Sequence, residues 1–188
     1  INSAKLFGGA TFAGSGAIVS LVGGEMTGDL ALGTANGSIS LTNSSLYDGA
    51  ISRTGGGAMS MLVNNSTLNN RAAGTLNVSS MQLQNSAKMG FVINNARIAG
   101  GLPIFNVTGT ADVAANSVFT PIFEQFIATP FTVRVLTAGT LNLGGPVAAM
   151  LNAESPYLYN VALVNPAASN ALDLVMSVKT ATQLGLND

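Results

Sequence analysis

One phrase returns along this chain at a spacing of 21 residues, and few architectures accommodate such a rhythm. Asn43, Asn64 and Asn85 stand 21 positions apart. They lie within Leu41-Thr-Asn-Ser-Ser-Leu46, Leu62-Val-Asn-Asn-Ser-Thr-Leu68 and Leu83-Gln-Asn-Ser-Ala-Lys-Met89. Leu21-Val-Gly-Gly-Glu-Met26 fits the frame one step earlier, and Phe91-Val-Ile-Asn-Asn-Ala-Arg-Ile98 echoes it off the beat. A period of roughly 20–50 residues denotes stacked supersecondary units, none of which buries its apolar face alone. The rhythm constrains architecture and says little about activity.

The units read as strands. Ser38-Ile-Ser-Leu-Thr42, Met59-Ser-Met-Leu-Val63, Thr75-Leu-Asn-Val-Ser79, Val107-Thr-Gly-Thr110, Phe131-Thr-Val-Arg-Val-Leu136 and Thr140-Leu-Asn-Leu143 are β-rich, and many alternate apolar with polar residues. Turn signals separate them at Gly23-Gly24, Ala35-Asn-Gly37, Asp48-Gly49, Gly55-Gly-Gly57, Asn69-Asn70 and Gly100-Gly101. Short strands at this period predict an all-β fold, a single-stranded parallel β-helix with about 21 residues per coil. Roughly nine coils at ~4.8 Å each would make a rod of ~43 Å. The spaced Asn residues have two readings of equal weight. They form a side-chain amide ladder, or they tolerate the left-handed backbone that turns require.

Composition agrees with an exported β-protein. The chain has 188 residues, enough for one or two domains with a sizeable core, and 47% are apolar. Only 8% are charged, against roughly 25% in ordinary soluble domains. Asn, Ser, Thr and Gly supply polarity in place of charge. Net charge is −1, and Lys5, Arg53, Arg71, Lys88, Arg97, Arg134 and Lys179 are scattered singly. Nucleic-acid binding needs a clustered basic face, so none is expected. With no Cys, disulfides, thiol catalysis and thiolate metal sites are excluded. No run reaches the ~18 apolar residues of a membrane helix, and no signal peptide is visible. A chain opening at Ile1, in mid-pattern and without Met, reads as a processed or trimmed fragment.

The texture changes after about residue 100. Six of the eight Phe residues lie from Phe91 to Phe131. In Pro121-Ile-Phe-Glu-Gln-Phe-Ile127 the apolar positions have helical spacing, which predicts a short amphipathic helix or an irregular wide coil. An aromatic ligand platform there is the minor reading. The chain accordingly divides into residues 1–120, coils with Asn-rich turns, and residues 121–188, a C-terminal cap.

The last third resembles a known family. Phe131-Thr-Val-Arg-Val-Leu-Thr-Ala-Gly-Thr140, Ser155-Pro-Tyr-Leu-Tyr-Asn-Val161, Ala171-Leu-Asp-Leu-Val175 and Val178-Lys-Thr-Ala-Thr-Gln-Leu-Gly-Leu-Asn187 occur in that order. Together they resemble the C-terminal end of autotransporter passenger domains, the type V secretion proteins of Gram-negative bacteria. The resemblance covers residues 129 to 188. It implies a right-handed parallel β-helix passenger at the cell surface, with residues 121–188 as an autochaperone-like segment. It also implies an outer-membrane β-barrel translocator as partner, which this chain does not contain, and residues 180–186 as the opening of a linker helix.

Chemistry is sparse. With no His, His-based triads and the usual zinc sites are excluded. No phosphate-binding loop or calcium-binding repeat is present, and no cofactor, metal or catalytic residue is expected. The carboxylates are Glu25, Asp29, Asp48, Asp112, Glu124, Glu154, Asp173 and Asp188. Asp29 and Asp48 lie one coil apart, where stacked side chains would approach the ~5 Å of a retaining glycosidase pair. Asp48-Gly49 reads more directly as a turn, and Glu25 and Asp29 read as solvated. Arg53 and Arg71 are candidates for acidic sugars, but single cations are usually solvated. Tyr47, Tyr157 and Tyr159 are candidates for stacking on sugars. The favoured expectation is a non-enzymatic structural or adhesive surface protein, with end-to-end fibre formation as an extension. A carbohydrate-binding or polysaccharide-degrading β-helix of lyase or tailspike type is the alternative, with host or matrix glycans as partners.

Overall fold

In the computed structural model, strands follow one another in short rounds of chain. The structure describes residues 1–12, 16–34, 36–152 and 158–186. The first round holds β1 (Lys5–Phe7) and β2 (Ala10–Thr11). The second holds β3 (Gly16–Val22), β4 (Glu25–Thr27) and β5 (Leu30–Ala31). The third holds β6 (Asn36–Thr42), β7 (Leu46–Gly49) and β8 (Ile51–Ser52). Next come β9 (Met59–Asn64) and β10 (Thr67–Asn70), then β11 (Leu76–Val78), β12 (Ser80–Gln84) and β13 (Lys88–Ile93). A helix, α1 (Asn95–Gly100), precedes β14 (Phe105–Val113) and β15 (Val118–Phe123). Finally come β16 (Phe131–Leu143), β17 (Tyr159–Val164) and β18 (Ala171–Val178). Strands make up 55% of the structure and the one α-helix described has six residues, so the class is all-β.

As far as β16, strands of successive rounds pair in parallel, giving three sheets. One sheet runs β1-β4-β7-β10-β13-β15, and a short one runs β2-β5-β8. The third stacks β3, β6, β9, β12, β14 and β16. Its register places Val19, Ile39, Met61, Met81, Ala111 and Leu141 in one column, and Leu21, Leu41, Val63, Leu83, Val113 and Leu143 in the next. Successive side chains on a strand face opposite sides, so the period-2 pattern of β6 and β9 turns Ile39, Leu41, Met61 and Val63 inward and leaves Ser38, Ser40 and Ser60 outside. The column Met26, Tyr47, Leu68, Met89 and Phe119 supplies the facing wall of the core. Full burial of one such side chain stabilises by ~1.5–3 kcal/mol. A lone round has no neighbour to bury it against, which is why the repeat must stack.

The step between rounds is not uniform. Register partners are 20 to 22 residues apart as far as Lys88, as in Ala17↔Gly37, Ile39↔Met61 and Thr67↔Lys88. The next steps are 30, in Met81↔Ala111 and Ala111↔Leu141. The expectation of roughly nine equal coils is therefore corrected, because six strands stack in parallel in the long sheet before its direction changes. One insertion is α1, in the segment read as an off-beat echo of the repeat. Its cap is local chemistry. The Asn94 side chain accepts from Arg97 N–H at 3.0 Å, and Gly101 closes the helix at φ 62°.

The C-terminal part departs from parallel stacking. β18 pairs antiparallel with β16, and β17 antiparallel with β18. The two sequence strands at 131–136 and 140–143 are one 13-residue strand, whose first half faces β18 and whose second half continues on β14. The helical reading of residues 121–127 is also corrected. Residues 121–123 complete β15, paired with Phe91, Val92 and Ile93 of β13, and no helix forms. Ladder bonding to a preformed neighbouring strand outweighed a four-residue coincidence of apolar spacing. Asp48-Gly49 and Asn69-Asn70 were turn signals yet lie inside β7 and β10. Asn36 and Gly37, also read as turn, open β6, and Ala35 lies outside the described residues.

Candidate functional site

An open cleft of about 660 Å³ lies where residues 53–58 meet the flank of β11 and β14. Arg53, the glycines at 55–57, Asn77, Ser79 and Thr108 line it. The Arg53 guanidinium donates to the Asn77 and Gly57 carbonyls, each at 2.7 Å, and so clips this loop to the stack. Partial burial lowers its pKa from the ordinary arginine value. Beside the cleft, Thr137 donates to the Asn106 side-chain oxygen at 2.9 Å, and the Asn106 amide donates to the Asn77 side-chain oxygen at 2.8 Å. These three are register partners in β16, β14 and β11, and they form a polar ladder. The site offers amides, hydroxyls and one guanidinium, and no carboxylate lines it. Such a wall can hydrogen-bond a polar ligand but presents no acid–base pair.

The evenly spaced Asn residues divide between their two readings. Asn43 and Asn85 adopt left-handed backbone at φ 58° and 48°. Asn64 instead ends β9, and its neighbour Asn65 takes the left-handed position at φ 45°. Leu41 pairs Val63 and Asn64 pairs Gln84, so Asn43, Asn65 and Asn85 occupy the same corner. Gly23 (φ 63°) and Ser3 (φ 47°) extend that corner by two more rounds. The ladder reading also has a member, since the Asn85 amide donates to the Asn64 side-chain oxygen at 3.0 Å.

The carboxylates among the described residues are engaged by neighbours. Glu25 pairs with Lys5 at 2.6 Å. Asp48 is held by Arg71 through two bonds of 2.6 and 2.9 Å and by the Asn69 amide at 3.3 Å. The Arg71 hydrogen bond draws the Asp48 carboxyl below its usual range, and the carboxylate raises Arg71 in turn. Asp29 does not stack on Asp48. Asp48 pairs in register with Thr27, and Asp29 accepts from Ala50 N–H at 2.9 Å. Asp112 accepts from Asn142 at 2.7 Å and Glu124 from Asn94 at 3.0 Å. Asp173 takes a bidentate grip from Arg134, its register partner, which raises the arginine further. Glu154 and Asp188 lie outside the described residues. The expectation that Arg53, Arg71 and Glu25 are merely solvated is therefore corrected. Among the described residues no cluster of three or more His, Cys, Asp or Glu side chains is placed to hold a metal ion.

Tyr47 and Tyr159 do not form a sugar platform. Tyr47 is buried in the core, and its hydroxyl lies 3.1 and 3.2 Å from the carbonyls of Gly28 and Ala50, to which it can donate. Burial, with Asp29 and Asp48 nearby, pushes its phenol well above the ordinary range. Tyr159 is buried too. It stacks on Phe123 and Phe126 with ring centroids 5.2 and 5.9 Å away, and its oxygen accepts from Ile127 N–H at 2.8 Å. The aromatic cluster thus ties residues 123–127 to β17. Tyr157 lies outside the described residues.

Sequence reading missed the Asn77–Asn106–Thr137 ladder and the buried Arg97. The ladder steps are 29 and 31 residues, outside the 21-residue frame used to search for columns. No family model, no curated protein and no solved structure matches the chain.

Proposed function

We propose that this chain is the stalk of an autotransporter-like passenger, a non-enzymatic extracellular structural or adhesive protein built as a right-handed single-stranded parallel β-helix. The observation that carries the reading is the parallel stacking of strands from successive rounds in all three sheets, as far as β8, β15 and β16. A stack of that kind has mostly neighbour-to-neighbour contacts, so it can order progressively as it emerges from a membrane. Parallel strands joined by crossovers almost always take the right hand. The C-terminal motifs from 131 onward and the low charge support export. Engaged carboxylates and the lack of His and Cys support a role without catalysis. Residues 121–188 act as the cap, and the partner is an outer-membrane β-barrel. The test is to fuse this chain ahead of such a barrel in Gram-negative cells. Antibody labelling of intact cells is expected; retention in the periplasm, while a control passenger surfaces, overturns the proposal.

The cleft at Arg53 favours a second reading, a carbohydrate-binding face. Its amides, hydroxyls and guanidinium suit neutral or acidic glycans. Glycan-array binding that Asn77→Ala or Arg53→Ala abolishes would support it, and no binding to any glycan would remove it.

A further inference from the structure

No carboxylate among the described residues answers the buried charge of Arg97. Among the described residues, Arg97 and Asp173 are the buried charged side chains, with Arg97 only 5% exposed. Asp173 has Arg134. Arg97 instead donates through Nη2 to the carbonyl oxygens of Ala72 and Gly74, the latter at 3.1 Å, and its Nε is buried without a hydrogen-bond partner. The charge is desolvated rather than paired, which also lowers its pKa. Removing a cation from water costs several kcal/mol unless a counter-charge repays it. Carbonyl dipoles repay part of this and leave the net charge in place.

The surroundings offer room for a counter-ion. Arg97, Ala73, Gly74, Thr75, Ala96 and Leu102 help line a cavity of about 70 Å³ beside α1. A second buried donor is tied to the same segment. Asn70 is fully buried, its side-chain oxygen accepts from Ile51 and Ala72 N–H groups, and its Nδ2 has no partner. Two orphaned donors are thus anchored to one residue, Ala72, through its N–H and its carbonyl. Native interiors rarely leave such groups unsatisfied.

We propose that the pocket at Arg97 binds a small monovalent anion, of the halide or formate class, that joins the loop at 72–75 to α1. The anion supplies the charge that the fold lacks there, so its binding stabilises the native state by mass action. This pocket and the cleft at Arg53 share no lining residue.

The test follows thermal unfolding of the whole chain in sodium bromide and in sodium gluconate at equal ionic strength, which holds screening constant. Gluconate is much the larger anion of the two. The expected result is a midpoint ~3 °C higher in bromide at tenfold the dissociation constant, and no bromide-specific rise in Arg97→Lys, whose compact ammonium cannot keep the forked carbonyl contacts. A variant too unstable to measure is bypassed by crystals of the unaltered chain grown with bromide. Anomalous density beside the Arg97 guanidinium supports the proposal. Equal midpoints in the two salts, or a cavity holding water alone, overturn it.

Discussion

Asn65 and Asn85 occupy the same corner of successive rounds, and both hold left-handed backbone, at φ 45° and 48°. A non-glycine residue in that region is costly for β-branched side chains and tolerated by Asn. Asn65→Val should therefore destabilise the chain by ~1–2 kcal/mol. The same change at Asn64, in extended strand, should cost less, because it loses chiefly the exposed bond from Asn85. Urea midpoints of the two variants check the order; Asn64→Val proving the worse would sink the assignment of the corner to Asn65.

Much of the fold was legible from residues whose role is set by burial. Ile39 and Leu41 alternate with polar residues, as do Met59 and Met61, and they line the core. The period also gave the stacking of β7, β10 and β13, whose steps are 21. What could not be read were features decided by a neighbouring strand. Asp48-Gly49 and Asn69-Asn70 have turn chemistry, yet parallel partners on both sides hold them extended. Residues 121–127 have helical spacing, yet 121–123 pair with Phe91 to Ile93 instead. The Arg53 cleft was half legible. Arg53 was singled out, but Asn77 reaches Asn106 only through a 29-residue step that the shorter rhythm conceals.

Gly49 is required by proximity. A Cβ built on it would lie 2.1 Å from the Gly28 carbonyl oxygen and 2.9 Å from the Tyr47 hydroxyl. The first is backbone of the preceding round just past β4, held in place by the Gly28 N–H bond to the Asp48 carbonyl. Gly49→Ala should cost ~1–3 kcal/mol by overpacking. A Cβ on Gly56 meets nothing within 4 Å, so Gly56→Ala should be neutral or gain ~0.4–1 kcal/mol by restricting the unfolded chain. Thermal midpoints of the pair provide the check, and equal effects at the two sites would contradict this geometry.

Asp48 and Tyr47 set the pH response from opposite ends. The Asp48 pKa is lowered in the folded state by Arg71. Its contribution is therefore present above the unfolded value of about 3.9 and is lost as pH falls through the folded value. Asp48→Asn should be less stable than the parent near neutrality, by ~0.2–1 kcal/mol for a partly exposed pair, with the gap closing in acid. Tyr47 has a raised folded pKa, so its contribution is full below about pH 10 and declines as pH rises further. Tyr47→Phe should remove that alkaline component while costing ~1 kcal/mol at neutrality for the lost hydroxyl bonds. Urea midpoints measured from pH 3 to 11 test both signs, and a gap at Asp48 that widened in acid would refute the first.

The two ends of the stack differ, and the difference limits self-association. At the C-terminal end, direction reverses into the antiparallel β17–β18 pair. At the other end, β1, β2 and β3 are the terminal strands of all three sheets. Ile18 and Phe7 are 75% and 72% exposed there, and Ile1, Leu6 and Ile18 rim an apolar pocket that reaches Leu21 and Leu30. Unpaired strand edges with few charges invite another chain. The antiparallel end is not complementary to the open one, and a face-to-face dimer closes on itself, so the expected association of this 188-residue stretch stops at pairs. Sedimentation velocity over a concentration series should show a rising average mass that Ile18→Lys abolishes and Val175→Lys, on the antiparallel pair, leaves unchanged. Long filaments from the unaltered chain, or equal sensitivity to both substitutions, would show instead that both ends take part and would restore a fibre.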